Sequence, residues 1–184
     1  SGWRMEAIGP NGPTLGLDMN YAHVQRGGLY HYHAVPTGLI VELQGEESES
    51  SKTPVLIGWA ADGYAIYGPL GYSDADDPES SLKQLRPSWQ LKKGTRQTEP
   101  EGPGGCYDGT YEQDYEFVEG SGDLDRFNGR SGVTPEHPDG TYYYVTTNSF
   151  PFISRSWKGT PDPSFSKGEH RRGTRDPHEP RRRP

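Results

Sequence analysis

Apolar positions along this chain fall in short runs, each closed by Gly, Pro or an Asx-Gly pair. In Leu29-Tyr30-His31-Tyr32-His33 aromatic and imidazole side chains alternate, which is the period of a strand. Leu39 to Leu43 is an apolar run ending at Gln44-Gly45 and reads as a further strand. Val55 to Trp59 and Tyr64 to Tyr67 flank Asp62-Gly63 and read as a hairpin. Tyr142 to Thr146 follows Asp139-Gly140 and is rich in Tyr and Val, residues that prefer pleated surfaces. Gly71 to Glu79 and Leu91 to Gly105 are polar and read as loops, and Ser80 to Leu85 reads as one helical turn at most. No repeat recurs at a fixed period. The pattern predicts a mainly β, single-domain antiparallel sandwich or barrel-like fold with long Gly/Pro-rich loops and under about a fifth helix.

Composition changes this picture in two places. Apolar residues make up 29% of the 184 positions and mean hydropathy is −0.96, values that would suit a disordered chain if the apolar residues were evenly spread. Twelve Tyr, five Phe and four Trp are instead grouped in the predicted strands, and a modest aromatic core follows. The second change concerns the C-terminus. Residues 1–158 carry 12 Lys/Arg against 22 Asp/Glu, whereas residues 159–184 carry 7 against 4. The expected division is a β domain over 1–165 and a basic, Pro/Arg-rich disordered tail over 166–184, removable beyond about Lys167 without loss of melting temperature. An acidic body without a basic, aromatic groove gives nucleic-acid binding no support. No run approaches the ~20 apolar residues of a membrane span, and Ser1-Gly2-Trp3-Arg4 begins directly in domain-like sequence, which fits removal of an upstream segment. The single cysteine, Cys106, allows no internal disulfide and has no basic neighbour in sequence to activate it; a spectator thiol is expected.

The chemistry concentrates in the first strand. Residues i and i+2 of a strand project to one face about 7 Å apart, so His31 and His33 can reach one ion. Gln25-Arg26-Gly27-Gly28 can turn the chain back so that His23 joins them, with Tyr30 and Tyr32 facing the other way, into the core. Three neutral imidazoles suit copper or zinc and leave a coordination position open. Asp18 or Asp62 would supply a nearby acid to orient a ligand or move protons, and Tyr21, Tyr64 and Tyr67 would line the open position or sit in the core. Asp123, Asp125 and Asn128 form a second, calcium-type candidate, alternating carboxylates followed by an amide and Gly129. Its spacing departs from an EF-hand, and turn capping by the same side chains is the competing reading.

Asp18, Ala22-His23-Val24-Gln25, Tyr30-His31-Tyr32-His33, Pro36-Thr37-Gly38-Leu39, Asp62-Gly63-Tyr64, Gly122-Asp123-Leu124-Asp125, Asn128-Gly129, Thr134-Pro135-Glu136, Pro138-Asp139-Gly140-Thr141-Tyr142 and Gly159-Thr160-Pro161-Asp162 resemble the motifs of the YHYH family, from about Trp3 to Phe165. The resemblance implies a secreted or periplasmic protein and no particular reaction. It also implies cysteines after Leu124-Asp125 and before Trp157, where this chain has Phe127 and Ser156, and a Gly where it has Ala34.

A cupin pairs His-x-His with a Glu about four residues on, but position 37 is Thr. In α-type carbonic anhydrases the third His follows the pair rather than preceding it. Gly-x-Ser-x-Gly, P-loop and dinucleotide fingerprints are missing. Three functions stay open at this point: an exported copper- or zinc-dependent oxidoreductase or hydrolase, a module that sequesters or presents the metal without chemistry, and a structural or adhesive extracellular domain in which the histidines merely pack. The substrate, a small molecule or extracellular, and the oligomeric state are not specified by the sequence.

Overall fold

The computed structural model describes residues 2–25, 27–45 and 53–165. The expected tail over 166–184 lies outside the described residues. Ten strands are described, β1 (Ala22–Val24), β2 (Tyr30–Tyr32), β3 (Leu56–Trp59), β4 (Ala65–Tyr67), β5 (Leu70–Tyr72), β6 (Leu82–Gln84), β7 (Trp89–Leu91), β8 (Tyr115–Phe117), β9 (Gly129–Thr134) and β10 (His137–Val145), with one α-helix, α1 (Thr37–Gln44). The mainly β expectation holds. The strands form one four-stranded sheet in the order β3-β4-β10-β9 and three separate pairs, β1-β2, β5-β6 and β7-β8, so no barrel closes among the described residues.

The main sheet grows from two hairpins. Gly63, at φ 85°, makes the tight turn between β3 and β4, a backbone conformation open to Gly at no steric cost. β10 pairs antiparallel with β9 and parallel with β4, which joins the hairpins into one sheet. Alternation along β10 sends Tyr143 and Val145 into a core with Ala65, Tyr67, Leu85 and Leu124. Tyr142 and Tyr144 project from the other face and meet Tyr64 edge-on at 5.0 and 6.2 Å. Buried phenols need partners, and the Tyr67 hydroxyl donates to Glu136 at 2.6 Å, which with burial places its pKa far above the usual range.

Three expectations are corrected. Leu39 to Leu43 is the middle of α1, because a short apolar run fits a helix as well as a strand and Pro36 and Gly45 bound it as helix ends. Ser80 to Leu85 holds strand β6 rather than a helical turn: pairing with β5 supplies backbone hydrogen bonds that a lone turn lacks. The same pair, together with β7, places strands at the edges of the stretches read as polar loops. Strand β9 (Gly-Arg-Ser-Gly-Val-Thr) carries too few apolar residues to have announced itself, and its partner β10 holds it in place.

Candidate metal centre

The histidines stand on the β1-β2 hairpin. The Gly28 N–H donates to the Gln25 carbonyl at 2.8 Å with Gly28 at φ 83°, and the register that follows sets His23 directly opposite His31. Residues opposed in this way have Cβ atoms about 4.5 to 5.5 Å apart. Two residues past His31, just beyond the end of β2, the His33 N–H donates to the Tyr21 carbonyl at 2.7 Å, which keeps the hairpin paired through the third imidazole. Ring centroids lie 4.8 Å (His23 to His31), 5.0 Å (His23 to His33) and 4.7 Å (His31 to His33) apart. One nitrogen from each ring falls within 4.8 Å of the other two, and among the described residues no carboxylate or thiol joins this group. All three rings are half-buried.

Their hydrogen bonds fix which nitrogen is free. A carbonyl only accepts, so the 2.8 Å contact of His23 Nδ1 with the Leu15 carbonyl puts the proton on Nδ1 and leaves Nε2 with its lone pair. His31 Nδ1 approaches the Leu29 carbonyl at a longer 3.4 Å. His33 Nε2 lies 3.3 Å from His23 Nε2, a contact satisfied either by a proton on His33 Nε2 donated to the His23 lone pair or by a cation between the two. Nitrogens bound tetrahedrally to one zinc at about 2.0 to 2.1 Å stand roughly 3.3 Å apart, so the spacing suits either. Burial pushes the His33 pKa down, with His31, His23 and Arg155 adding to the shift and Glu6 opposing it. Glu6 is buried and paired with Arg155 at 2.7 Å across 149 positions of sequence. That pair was invisible in the sequence, as was the carbonyl of Leu15.

The other predicted site residues lie elsewhere. Asp18 is exposed and accepts hydrogen bonds from the Tyr30 hydroxyl at 2.6 Å and from the N–H groups of Asn20 and Ala22, so it ties the hairpin together and its pKa falls below the usual carboxylate range, chiefly through Tyr30. Asp62 accepts from the Tyr144 hydroxyl at 2.5 Å and the Gly159 N–H at 2.9 Å, joining the β3-β4 turn to the C-terminal segment. Neither carboxylate lies within ligand reach of the imidazoles. Tyr67 is fully buried, Tyr64 packs on Tyr142, and Tyr21 is exposed at φ 52°. Tyr30 and Tyr32 do not enter the core as the alternation suggested. The hairpin is a separate two-stranded sheet, and its tyrosine face is the exposed wall of a groove that His31 also lines.

At the calcium-type candidate the two carboxylates are engaged by the fold, whereas Asn128 Oδ1 is buried without a hydrogen-bond partner. Lys83 binds Asp123 at 2.8 Å, and the Arg86 N–H donates to its other oxygen at 2.8 Å. Asp125 accepts from the Phe127 and Gly129 N–H groups and from the Tyr142 hydroxyl at 3.0 Å. Asn128 is buried at φ 58°, and its amide donates to the Val145 carbonyl. For Asp125 this is the turn-capping arrangement. Cys106 is exposed and unpaired in a disulfide. At the position of the cysteine implied by resemblance, Phe127 lies under the Lys158 ammonium, 5.5 Å from its ring centroid. Ala34 is buried and outside the left-handed region, so a Cβ is accommodated there.

No curated protein and no solved structure matches this chain. Residues 1–159 match the family model described as "YHYH protein", and with the motif it is named for forming the strand and the histidine pair just described, the chain belongs to that family.

Proposed function

We propose that His23, His31 and His33 bind one copper or zinc ion, and that the protein is an exported metal protein whose centre keeps a coordination position open for a substrate. The observation that carries this reading is the meeting of the Nε2 atoms of His23 and His33 at 3.3 Å, beside His31 and without a carboxylate in the group. Packing alone would not favour it. A proton on His33 Nε2 donated to His23 Nε2 would satisfy that pair alone, whereas an ion between them would satisfy all three rings at once. The carbonyl behind His23 holds the tautomer that a metal requires. With three protein ligands and half-buried rings, the set has the composition of a catalytic rather than a closed structural site. A bound copper ion would supply electron-transfer chemistry and a zinc ion an activated water.

The test is metal analysis of protein purified without a histidine tag, followed by titration of the metal-free form with Zn²⁺ and with Cu²⁺. One equivalent of either ion is expected. Protein that holds neither ion after incubation would leave the histidines as hydrogen-bonded hairpin residues and the proposal without support.

A further inference from the structure

His31 forms part of the wall of a groove of about 780 Å³ between the hairpin, α1, the main sheet and the C-terminal segment. Clefts that hold small organic ligands have roughly 300 to 1,000 Å³. Its aromatic lining comes from Tyr30, Tyr32, Trp59, Tyr144, Trp157 and Phe165. Several of these are far more exposed than their size predicts, with Trp59 at 56%, Trp157 at 45% and Phe165 at 69%. Charged residues make up 24% of the chain, yet among the described residues none lines this groove. Four of the hydroxyls that line it are already engaged. Tyr30 donates its hydroxyl to Asp18, and Tyr144 donates to Asp62. The hydroxyls of Thr146 and Ser154 donate to the carbonyls of Tyr67 and Ser156. What remains for a ligand is ring and aliphatic surface, one imidazole, and three neutral polar groups, the Tyr32 hydroxyl and the indole N–H groups of Trp59 and Trp157.

Such a wall rejects charge. An anion or a cation would be stripped of water with no counter-charge to meet, and a sugar carries more hydroxyls than the few neutral polar groups of the wall can satisfy. Flat ring surface is matched by another ring, in stacked or edge-on contact. We infer that the groove binds a neutral, planar aromatic molecule, and that this is the class of substrate brought to the histidine centre. The word substrate rests on the metal reading above, while binding in the groove does not.

The experiment uses 2-naphthol, uncharged at pH 7, and the full-length protein in equilibrium dialysis. Metal-free protein should bind one equivalent, with naphthalene-2-sulfonate at least about tenfold weaker. Trp59→Ala and Trp157→Ala, both at exposed positions, should each weaken 2-naphthol by about three- to tenfold. His23→Ala, outside the groove lining, should retain 2-naphthol while losing the metal. Copper-loaded protein should broaden the proton resonances of bound 2-naphthol, and zinc-loaded protein should not. Failure to load either copper or zinc would remove the metal reading and leave the groove result standing. Copper loading without broadening would overturn the placement beside the centre. Absence of saturable binding, equal affinity for the sulfonate, or indifference to both tryptophan changes would overturn the inference. So would a dimer dispersed by Trp157→Ala in a protein that ignores 2-naphthol, because a second copy would then occupy the groove.

Discussion

The surroundings of His33 push its pKa down, first through burial and then through the neighbouring histidines and Arg155. Its folded pKa therefore lies below the value near 6.5 of an unfolded histidine. As pH falls through about 6.5 the unfolded chain takes up the proton first, so His33 contributes stability that is present above that pH and is lost on acidification. Denaturation of the metal-free protein between pH 7.5 and 5 should show a steeper acid loss in wild type than in His33→Gln; parallel profiles would contradict the depressed pKa. Metal affinity should fall over the same window, since protons compete for the ligand nitrogens of all three rings. At single positions, His31→Ala or His33→Ala should abolish stoichiometric metal binding, whereas His137→Ala should not. The His137 ring meets Trp59 at 6.1 Å on the far strand and lies outside the group of three. Equal loss with His137→Ala, read by calorimetric titration, would require a four-histidine site.

Among the elements, the hairpin was the most legible in sequence, because period-two alternation and a Gly-Gly turn are local signals. The return of His23 to the pair was read from them, whereas strand β1 and the register that sets His23 opposite His31 were not. Gly28→Ala is a test of that local logic. No atom lies within 4 Å of an added Cβ, so the cost is conformational only, about 1 to 2 kcal/mol at a left-handed φ. All three ligands would remain while metal affinity fell by roughly fivefold or more, provided that the hairpin must form to bind. Unchanged affinity would mean that the histidines converge without the turn. Elements whose partners are remote in sequence were not legible. Leu39 to Leu43 became a helix whose first turn is anchored by the Asn20 side chain, which accepts from the Gly38 N–H at 2.6 Å. Strand β6 depends on β5, and β9 on β10. The segment around Thr95 and Cys106 is closed by Arg96, which binds the fully buried Asp114 at 2.6 and 2.7 Å, the Gly104 carbonyl and Asp108. Burial alone would raise the Asp114 pKa, but the hydrogen bonds from Arg96 and the backbone outweigh it and hold the group ionised. Arg96→Met would strand that charge and should cost about 3 to 5 kcal/mol by urea denaturation. Adding Asp114→Leu should restore much of it. A loss under about 1 kcal/mol would mean that this ion pair does not hold the loop.

In the whole molecule the question is whether the histidine hairpin and the main sheet unfold together. The hairpin is a separate small sheet, and two strands alone are marginal in water. Three attachments make it part of the body. Ala22 at its start and Ala34-Val35 after it are buried; Asn20 holds the first turn of α1; and Glu6, near His33, is paired with Arg155 of the C-terminal segment. An ion that binds only the folded hairpin must then stabilise everything coupled to it. At a free metal concentration of about 100 times Kd the gain is roughly 2.7 kcal/mol. For a chain of this size that corresponds to a melting shift of about 5 to 11 °C. Calorimetric scans with Zn²⁺ should move the single main transition upward by that amount in wild type and leave His31→Ala unmoved. If wild type binds zinc yet its main transition stays fixed, the hairpin opens on its own, and its attachments through Asn20 and Glu6 are too weak to couple the metal centre to the fold.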